Sequence, residues 1–264
     1  MNARPSERME IHLRPERYAN DYKSKSQLAR VVTESWFEEE MFCPVCLNGH
    51  VSREKNNVRV VDFSCPSCKH TFQLKSQSRP LGNKVVDGAY APLYAMIERN
   101  LCPDFFFMEY SLDEEAVRNL LIIPRFFMNT SIVEKRKPLS PNARRAGWVG
   151  CNILLSSLPS EGKIDIIKNE READPAQVKK QYQKLAFLDA EKHSARGWVS
   201  DVLHYVQKLN KRSFTLSEVY LFEKELAELH PENHHVKDKI RQQLQVLRDK
   251  GILRFDNKGV YSLR

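Results

Sequence analysis

"VVDFSCPSCKHTFQLKSQ", Val60 to Gln77, holds two chemistries in one short stretch. Cys65 and Cys68 form half of a metal clip. Around them Asp62, Gln73 and Lys75 follow the pattern Asp-x10-Gln-x-Lys. The flanking segments "NVRVVDFS" and "KHTFQLKS" are rich in Val, Phe and alternating side chains, which predicts two strands joined at the cysteine turn. Residues two apart on a strand face the same way. Gln73 and Lys75 therefore share a face, with Asp62 at the end of the preceding strand.

That trio suits phosphodiester hydrolysis. Such a reaction uses a metal to activate water and to stabilise the transition state. A carboxylate holds the metal, and a nearby lysine orients the water or balances developing negative charge. Gln73 departs from this scheme. Its carbonyl can ligate a hard cation, as amides do for calcium, but it brings no charge. Glu34, on the preceding helix, is the candidate helper carboxylate; the alternative is an ordinary exposed helical glutamate. By itself the three-residue pattern is common and weakly specific.

The cysteines are more specific. Cys43-x2-Cys46, eighteen intervening residues and Cys65-x2-Cys68 fall in the window for a four-cysteine zinc site. Four thiolates leave no open position for substrate, so such a zinc is structural. Four separately buried cysteines, or a redox pair, are the alternatives. His50 and His70 could compete as ligands. Cys102 and Cys151 lack partners at useful spacing and read as core residues.

The chain has 264 residues and a net charge of +8, with 41% hydrophobic and 29% charged residues. This is a globular composition with a basic excess, and a polyanionic partner, nucleic acid first, fits it. No apolar run approaches the ~18 residues of a membrane span. "MNARPSERMEIHLRPER" has no apolar signal core, which points to a cytoplasmic protein.

Lys23–Glu39 has helical periodicity, with Leu28, Val31, Val32, Trp36 and Phe37 on one face. "VVDGAYAPLYAMIERN", Val85 to Asn100, reads as a helix with Pro92 as a possible break. "DFFFMEYS" and "VRNLLIIP" read as buried strands. "IVEKRKPLSPNARRAGWVGCNILL" reads as a basic surface loop. Asp174 caps a helix starting at Pro175. Beyond Ser194, three amphipathic helices and a hairpin around Asn257-Lys258-Gly259 give the winged-helix order. The second helix of its helix-turn-helix begins near Asn233, and from there to Arg264 eight Lys/Arg face three Asp. A winged helix used for protein contacts is the alternative. The expected division is residues 1–190, an α/β domain with residues 1–20 as an extension, and residues 191–264, the winged helix.

From about Tyr22 onward the chain resembles the DpnI family of methyl-directed restriction endonucleases. "YKSKSQLARVVTESW", both CxxC pairs, "VVDFSC", "FQLKS", "DGAYA", "RKPLSPNARRAGWVGCN" and "KIRQQLQVLRDK" carry the resemblance, in family order. It implies an α/β PD-(D/E)XK-type nuclease core with an inserted zinc site, followed by a winged-helix domain. It also implies Mg2+-dependent cutting of double-stranded DNA at GATC carrying N6-methyladenine, with both domains reading the methylated DNA. Asp62 and Lys75 fall on the family's aspartate and lysine. Gln73 falls where the family carries glutamate, although Gln-x-Lys occurs in Mrr-like enzymes of the wider superfamily. By analogy the protein acts as a monomer. A methyladenine-binding module that no longer cuts, or a nuclease with another modified target, remain the other readings.

N6-methyladenine adds one apolar methyl in the major groove. Burying it is worth roughly 1 kcal/mol, so one contact discriminates only several-fold and several must combine. Trp148, in "RRAGWVG", is the candidate methyl contact, with a core tryptophan as the alternative. Lys135, Arg136, Lys137, Arg144 and Arg145 would anchor that loop on phosphates or base edges. In the winged helix, His234, His235, Lys237, Arg241 and Gln242 are the candidates for reaching bases.

Overall fold

The structure, a computed structural model, describes residues 9–54 and 61–264. The part of the expected strand from Asn57 to Val60 lies outside them. The chain runs through α1 (Lys25–Glu40), β1 (Ser52–Arg53), β2 (Phe63–Ser64), β3 (Thr71–Gln77), β4 (Lys84–Ala89), α2 (Tyr90–Glu98), β5 (Asp104–Ser111) and β6 (Ala116–Ile123). It continues with β7 (Val133–Lys135), β8 (Gly150–Leu154), β9 (Ile164–Lys168), β10 (Arg171–Glu172) and α3 (Pro175–Lys184). The C-terminal part holds α4 (His193–Lys208), β11 (Ser213–Thr215), α5 (Leu216–Tyr220), α6 (Glu223–Leu229), α7 (Val236–Asp249), β12 (Leu253–Asn257) and β13 (Val260–Leu263).

The main sheet has the order β1-β2-β3-β5-β6-β9-β10. Only β3 and β5 run parallel; the other neighbours are antiparallel. A parallel pair needs a crossover, and β4 with α2 supplies it. Helix α1 packs Val32, Trp36 and Phe37 against the sheet. Phe37 meets Phe63 of β2 at 4.7 Å and Phe106 of β5 at 4.8 Å, and Phe106 meets Phe72 of β3 at 5.5 Å. Four rings thus join helix and strands behind the stretch that opens this section. The Thr33 and Ser76 hydroxyls, 3.0 Å apart, fix α1 along β3.

Three expectations need correction. Val85–Ala89 is a strand, and the helix starts only at Tyr90. Pro92 does not break that helix because it lies in the first turn, where backbone N–H groups have no intrahelical partner. Residues from Met9 onward are no appended tail: Leu13 is 1% exposed, Leu13 N–H donates to Glu115 O, and Trp36 Nε1 donates to Glu10 O. The basic loop is also less irregular than expected. Its ends, β7 and β8, form a three-stranded sheet with β4, burying Val133, Cys151 and Ile153.

The C-terminal domain follows the expected winged-helix order, with two differences. The middle helix divides at Leu221–Phe222 into α5 and α6, and β11 joins the hairpin as a third strand on β13. Helix α7 begins at Val236, with His235 in the capping position and Asn233 Oδ1 accepting the His235 N–H. The two regions touch through polar contacts. Asp201 on α4 accepts from Ser131 Oγ at 2.8 Å and faces His230 Nε2 at 2.9 Å, and Gln207 bonds Ser160 and Glu161. Among the described residues no helix is long and apolar enough to cross a membrane.

Leu13→Ala tests the N-terminal correction. Deleting a fully buried leucine side chain should cost about 3 kcal/mol, read from denaturant unfolding. A change below about 0.5 kcal/mol would mark the segment as peripheral.

Candidate metal centre and polar cluster

Each cysteine pair builds the same turn. Cys43 O accepts from Leu47 N–H and Cys65 O from Lys69 N–H, while Cys43 N–H donates to Asn48 O and Cys65 N–H to His70 O. Leu47 and Lys69 take left-handed φ values of 64° and 61° to close the turns. The four sulfurs lie within 4.8 Å of one another, with Cys43–Cys68 and Cys46–Cys65 at 3.6 Å. Four sulfurs about 2.3 Å from a tetrahedral zinc stand roughly 3.8 Å apart, so the residues fit that ion. Burial pushes the Cys43 and Cys68 thiols up. Burial also acts upward on Cys46, but the Asn48 backbone and neighbouring thiols bring it down to about 7. His50 is exposed, and His70 is taken up by Asp104 at 2.8 Å and Tyr182 at 3.2 Å, so neither competes for the ion. Cys102 and Cys151 are buried core residues.

The cysteine turn at 65–68 connects β2 to β3 and sets their register, Phe63 opposite Phe72 and Ser64 opposite Thr71. Asp62, just before β2, is held twice: its N–H donates to Phe72 O, and its Oδ2 accepts from Leu74 N–H at 2.9 Å. Asp62 is thereby locked beside the Gln73–Lys75 segment. Gln73 is 8% exposed, and its Oε1 has no hydrogen-bond partner among the described residues. A buried acceptor without a partner costs about 1–3 kcal/mol. An amide oxygen of this kind, on the residue next to the Leu74 N–H that holds Asp62, suits a hard cation, which takes oxygen ligands.

Burial raises the Asp62 carboxyl above the usual aspartate range; Leu74 and Lys75 pull it down, and Asp87 pushes it up. Burial likewise raises Glu34, opposed by Arg30 and Arg53 and reinforced by Asp62. Glu34 is therefore no plain exposed glutamate: it feels the Asp62 charge and lies 3.5 Å from Arg53. Sequence reasoning missed Asp87 on β4, whose Oδ1 is 2.5 Å from Lys75 Nζ. The pair is an ion pair without hydrogen-bond alignment, and Asp87 Oδ1 has no hydrogen-bond partner among the described residues.

The basic loop is a folded arm. Leu139 N–H donates to Trp148 O, Gly147 N–H to Leu139 O and Arg136 N–H to Gly150 O. Trp148 is half-buried, and a Cβ at residue 150 would stand 2.8 Å from its ring, so glycine there lets the indole lie close on the backbone. Arg145 covers the ring at 4.6 Å. Trp148 is thus a surface arm residue, not a core one. Lys137 and Arg144 are exposed, and Lys135 lies over Tyr90 at 5.3 Å. On α7, Arg241 is exposed, while Lys237 pairs with Glu223 at 3.1 Å and Gln242 accepts from Lys239. His234 and His235 are exposed just before the helix.

Fold and site define a class: a mixed α/β domain clamped by four cysteines around a buried polar cluster, joined to a helix-turn-helix domain. Residues 9–191 match the family model described as DpnI, the Dam-replacing family, and residues 194–263 match that of the Dam-replacing HTH domain. The chain belongs to the Dam-replacing family.

Two measurements follow. Metal analysis should find about one zinc per chain, and stripping it should abolish cooperative unfolding of the N-terminal domain; a folded, zinc-free protein would contradict the four-cysteine site. Asp62 carries a raised pKa in the folded state, so its ionised form costs stability above the ordinary aspartate range, and that cost is relieved as pH falls through the raised value. Asp62→Asn should therefore raise the melting midpoint of the protein without divalent ion at pH 7, read by thermal unfolding. A fall in the midpoint would show that the carboxylate is stabilising.

Proposed function

We propose that this protein is a methyl-directed restriction endonuclease. Its core is of the PD-(D/E)XK type, and it hydrolyses both strands of DNA at GATC bearing N6-methyladenine. The carrying observation is the buried Oε1 of Gln73, without a hydrogen-bond partner among the described residues, on a strand that also holds Asp62 through Leu74 N–H and carries Lys75. A site of this composition is costly for folding and useful for holding a cation. Family membership supports the same reading.

Asp62 and Gln73 would hold Mg2+ through oxygen atoms. When bound, the ion supplies charge stabilisation at the scissile phosphate and a nucleophile from water. Lys75 keeps an ammonium beside these ligands, placed to orient water or to face a phosphate oxygen. Glu34, coupled to Asp62, adds a carboxylate at the edge of the cluster. Zinc on Cys43, Cys46, Cys65 and Cys68 holds the turn between the two strands and takes no part in chemistry.

DNA would be held by both domains, from one protein chain. Lys137, Arg144 and Arg145 on the arm anchor phosphates, with Lys135 and Arg136 at its base. Trp148 offers an apolar face for a methyl group once Arg145 moves to a phosphate. In the C-terminal domain α7 is the helix for the major groove, and Arg241 and His234 are its freest candidates.

The test is digestion of methylated and unmethylated plasmid with Mg2+ or Mn2+. We expect cutting of methylated DNA alone. Asp62→Ala and Lys75→Ala should lower its rate at least ~100-fold while DNA binding changes less than about threefold. Methyl-dependent binding without cutting under either metal would instead identify a reader module. Trp148→Ala should lower the preference for methylated over unmethylated DNA about fourfold, the worth of one buried methyl group; an unchanged ratio would remove Trp148 from methyl recognition.

A further inference from the structure

Strand β4 buries Val85 in the usual way, but its next two residues are reversed for packing. Val86 is 54% exposed, while its neighbour Asp87 is 9% exposed. A strand that turns a valine outward and an aspartate inward forgoes burial energy and desolvates a charge. Among the described residues, Lys75 Nζ, 2.5 Å away, is the ion-pair partner of its Oδ1, which has no hydrogen-bond partner. Replacing a buried ion pair with apolar residues is often neutral or stabilising, so stability alone does not account for this one.

Where the pair lies supplies the reason. Lys75 is on β3, two residues after Gln73 and on the same face. Asp87 reaches that face from the second sheet, through the chain that crosses from β3 to α2. Its charge is felt at Asp62, where it works against ionisation. Charge counting then shows what it adds. Glu34 at the edge is matched by Arg53 at 3.5 Å, and at the centre Asp62 and Lys75 with neutral Gln73 sum to zero, a poor site for a divalent cation. With Asp87 the sum is one net negative charge, the same as an Asp, Glu and Lys set would carry.

We propose that Asp87 is a positioning residue of the cleavage site: it supplies the negative charge that Gln73 lacks and holds the Lys75 ammonium in place beside the metal ligands. The idea rests on reading the cluster as a metal-binding nuclease site. It acts through Lys75 and through the field at the cation, not by contact with the scissile phosphate.

The test is a charge series in zinc-loaded protein: Asp87→Asn, Asp87→Glu, Gln73→Glu and the double variant Gln73→Glu/Asp87→Asn. Mn2+ affinity is measured by calorimetry, and cutting of methylated plasmid is measured in parallel. Asp87→Asn should weaken Mn2+ binding about tenfold and slow cutting at limiting metal. Asp87→Glu should stay within about threefold of the parent. Gln73→Glu should bind Mn2+ more tightly than the parent, and the double variant should return to the parent's affinity. A purely structural aspartate would not be rescued by a charge on a different strand. Unchanged Mn2+ affinity in folded Asp87→Asn, or a double variant no tighter than Asp87→Asn, would overturn the proposal. Should Asp87→Asn alone unfold, the same tenfold ratio is read between Gln73→Glu and the double variant. If the parent cuts no DNA yet binds Mn2+ in an Asp87-dependent way, the nuclease reading falls and the charge assignment stands. If the parent cuts and the series is flat, the assignment falls and the nuclease reading stands.

Discussion

The hydrogen bond from Leu74 N–H to Asp62 Oδ2 is the contact on which the site depends. It ties the carboxylate that precedes β2 to the backbone of β3, midway between Gln73 and Lys75. The bond requires the two strands to stay in register, and a one-residue slip would turn every side chain of β3 to the other face. Here β2 is only two residues long, too short to set register through its own ladder. The turn at Cys65–Cys68 does so instead, tied by its sulfurs to Cys43 and Cys46. Behind the turn, Phe63, Phe72, Phe37 and Phe106 lock strands and helix together. The cysteine clip and the polar cluster are therefore one construction, with the clip fixing the spacing of the cluster's side chains.

The cluster itself is expensive. An unpartnered amide oxygen, a desolvated aspartate and an inward-facing ion pair occupy one side of the sheet. Each lowers folding stability relative to an apolar residue, and under the proposed function all become useful once a cation and a phosphate are present. Sites of this kind commonly sit where stability has been given up for reactivity. The C-terminal domain keeps the charges of α7 and the wing at its surface but buries Arg196 and Asp201 on α4.

Much of this was legible in the sequence, for physical reasons that differ by element. The cysteine spacing named the clip because four thiolates around one ion tolerate few spacings. Helix α1 was legible from Val32, Trp36 and Phe37, and β5 and β6 from unbroken apolar runs. Asp87 was hidden because Val86 faces outward and Asp87 inward on β4, so "VVDGAYA" read as the start of a helix. The N-terminal segment was misread because its main anchor, Leu13, is a single apolar residue among charged ones. The arm around Trp148 read as irregular because its order comes from backbone hydrogen bonds, which leave no periodic signal.

The most direct measurement is a crystal structure of the protein with methylated DNA and Ca2+, which occupies oxygen sites while supporting little or no cutting. The account predicts a cation bound by Asp62 and by the Gln73 side-chain oxygen at about 2.3–2.6 Å, with Lys75 alongside and a phosphate oxygen completing the shell. DNA seated on the protein with no cation at those two oxygens, or with the Gln73 amide nitrogen turned toward the site, would contradict it.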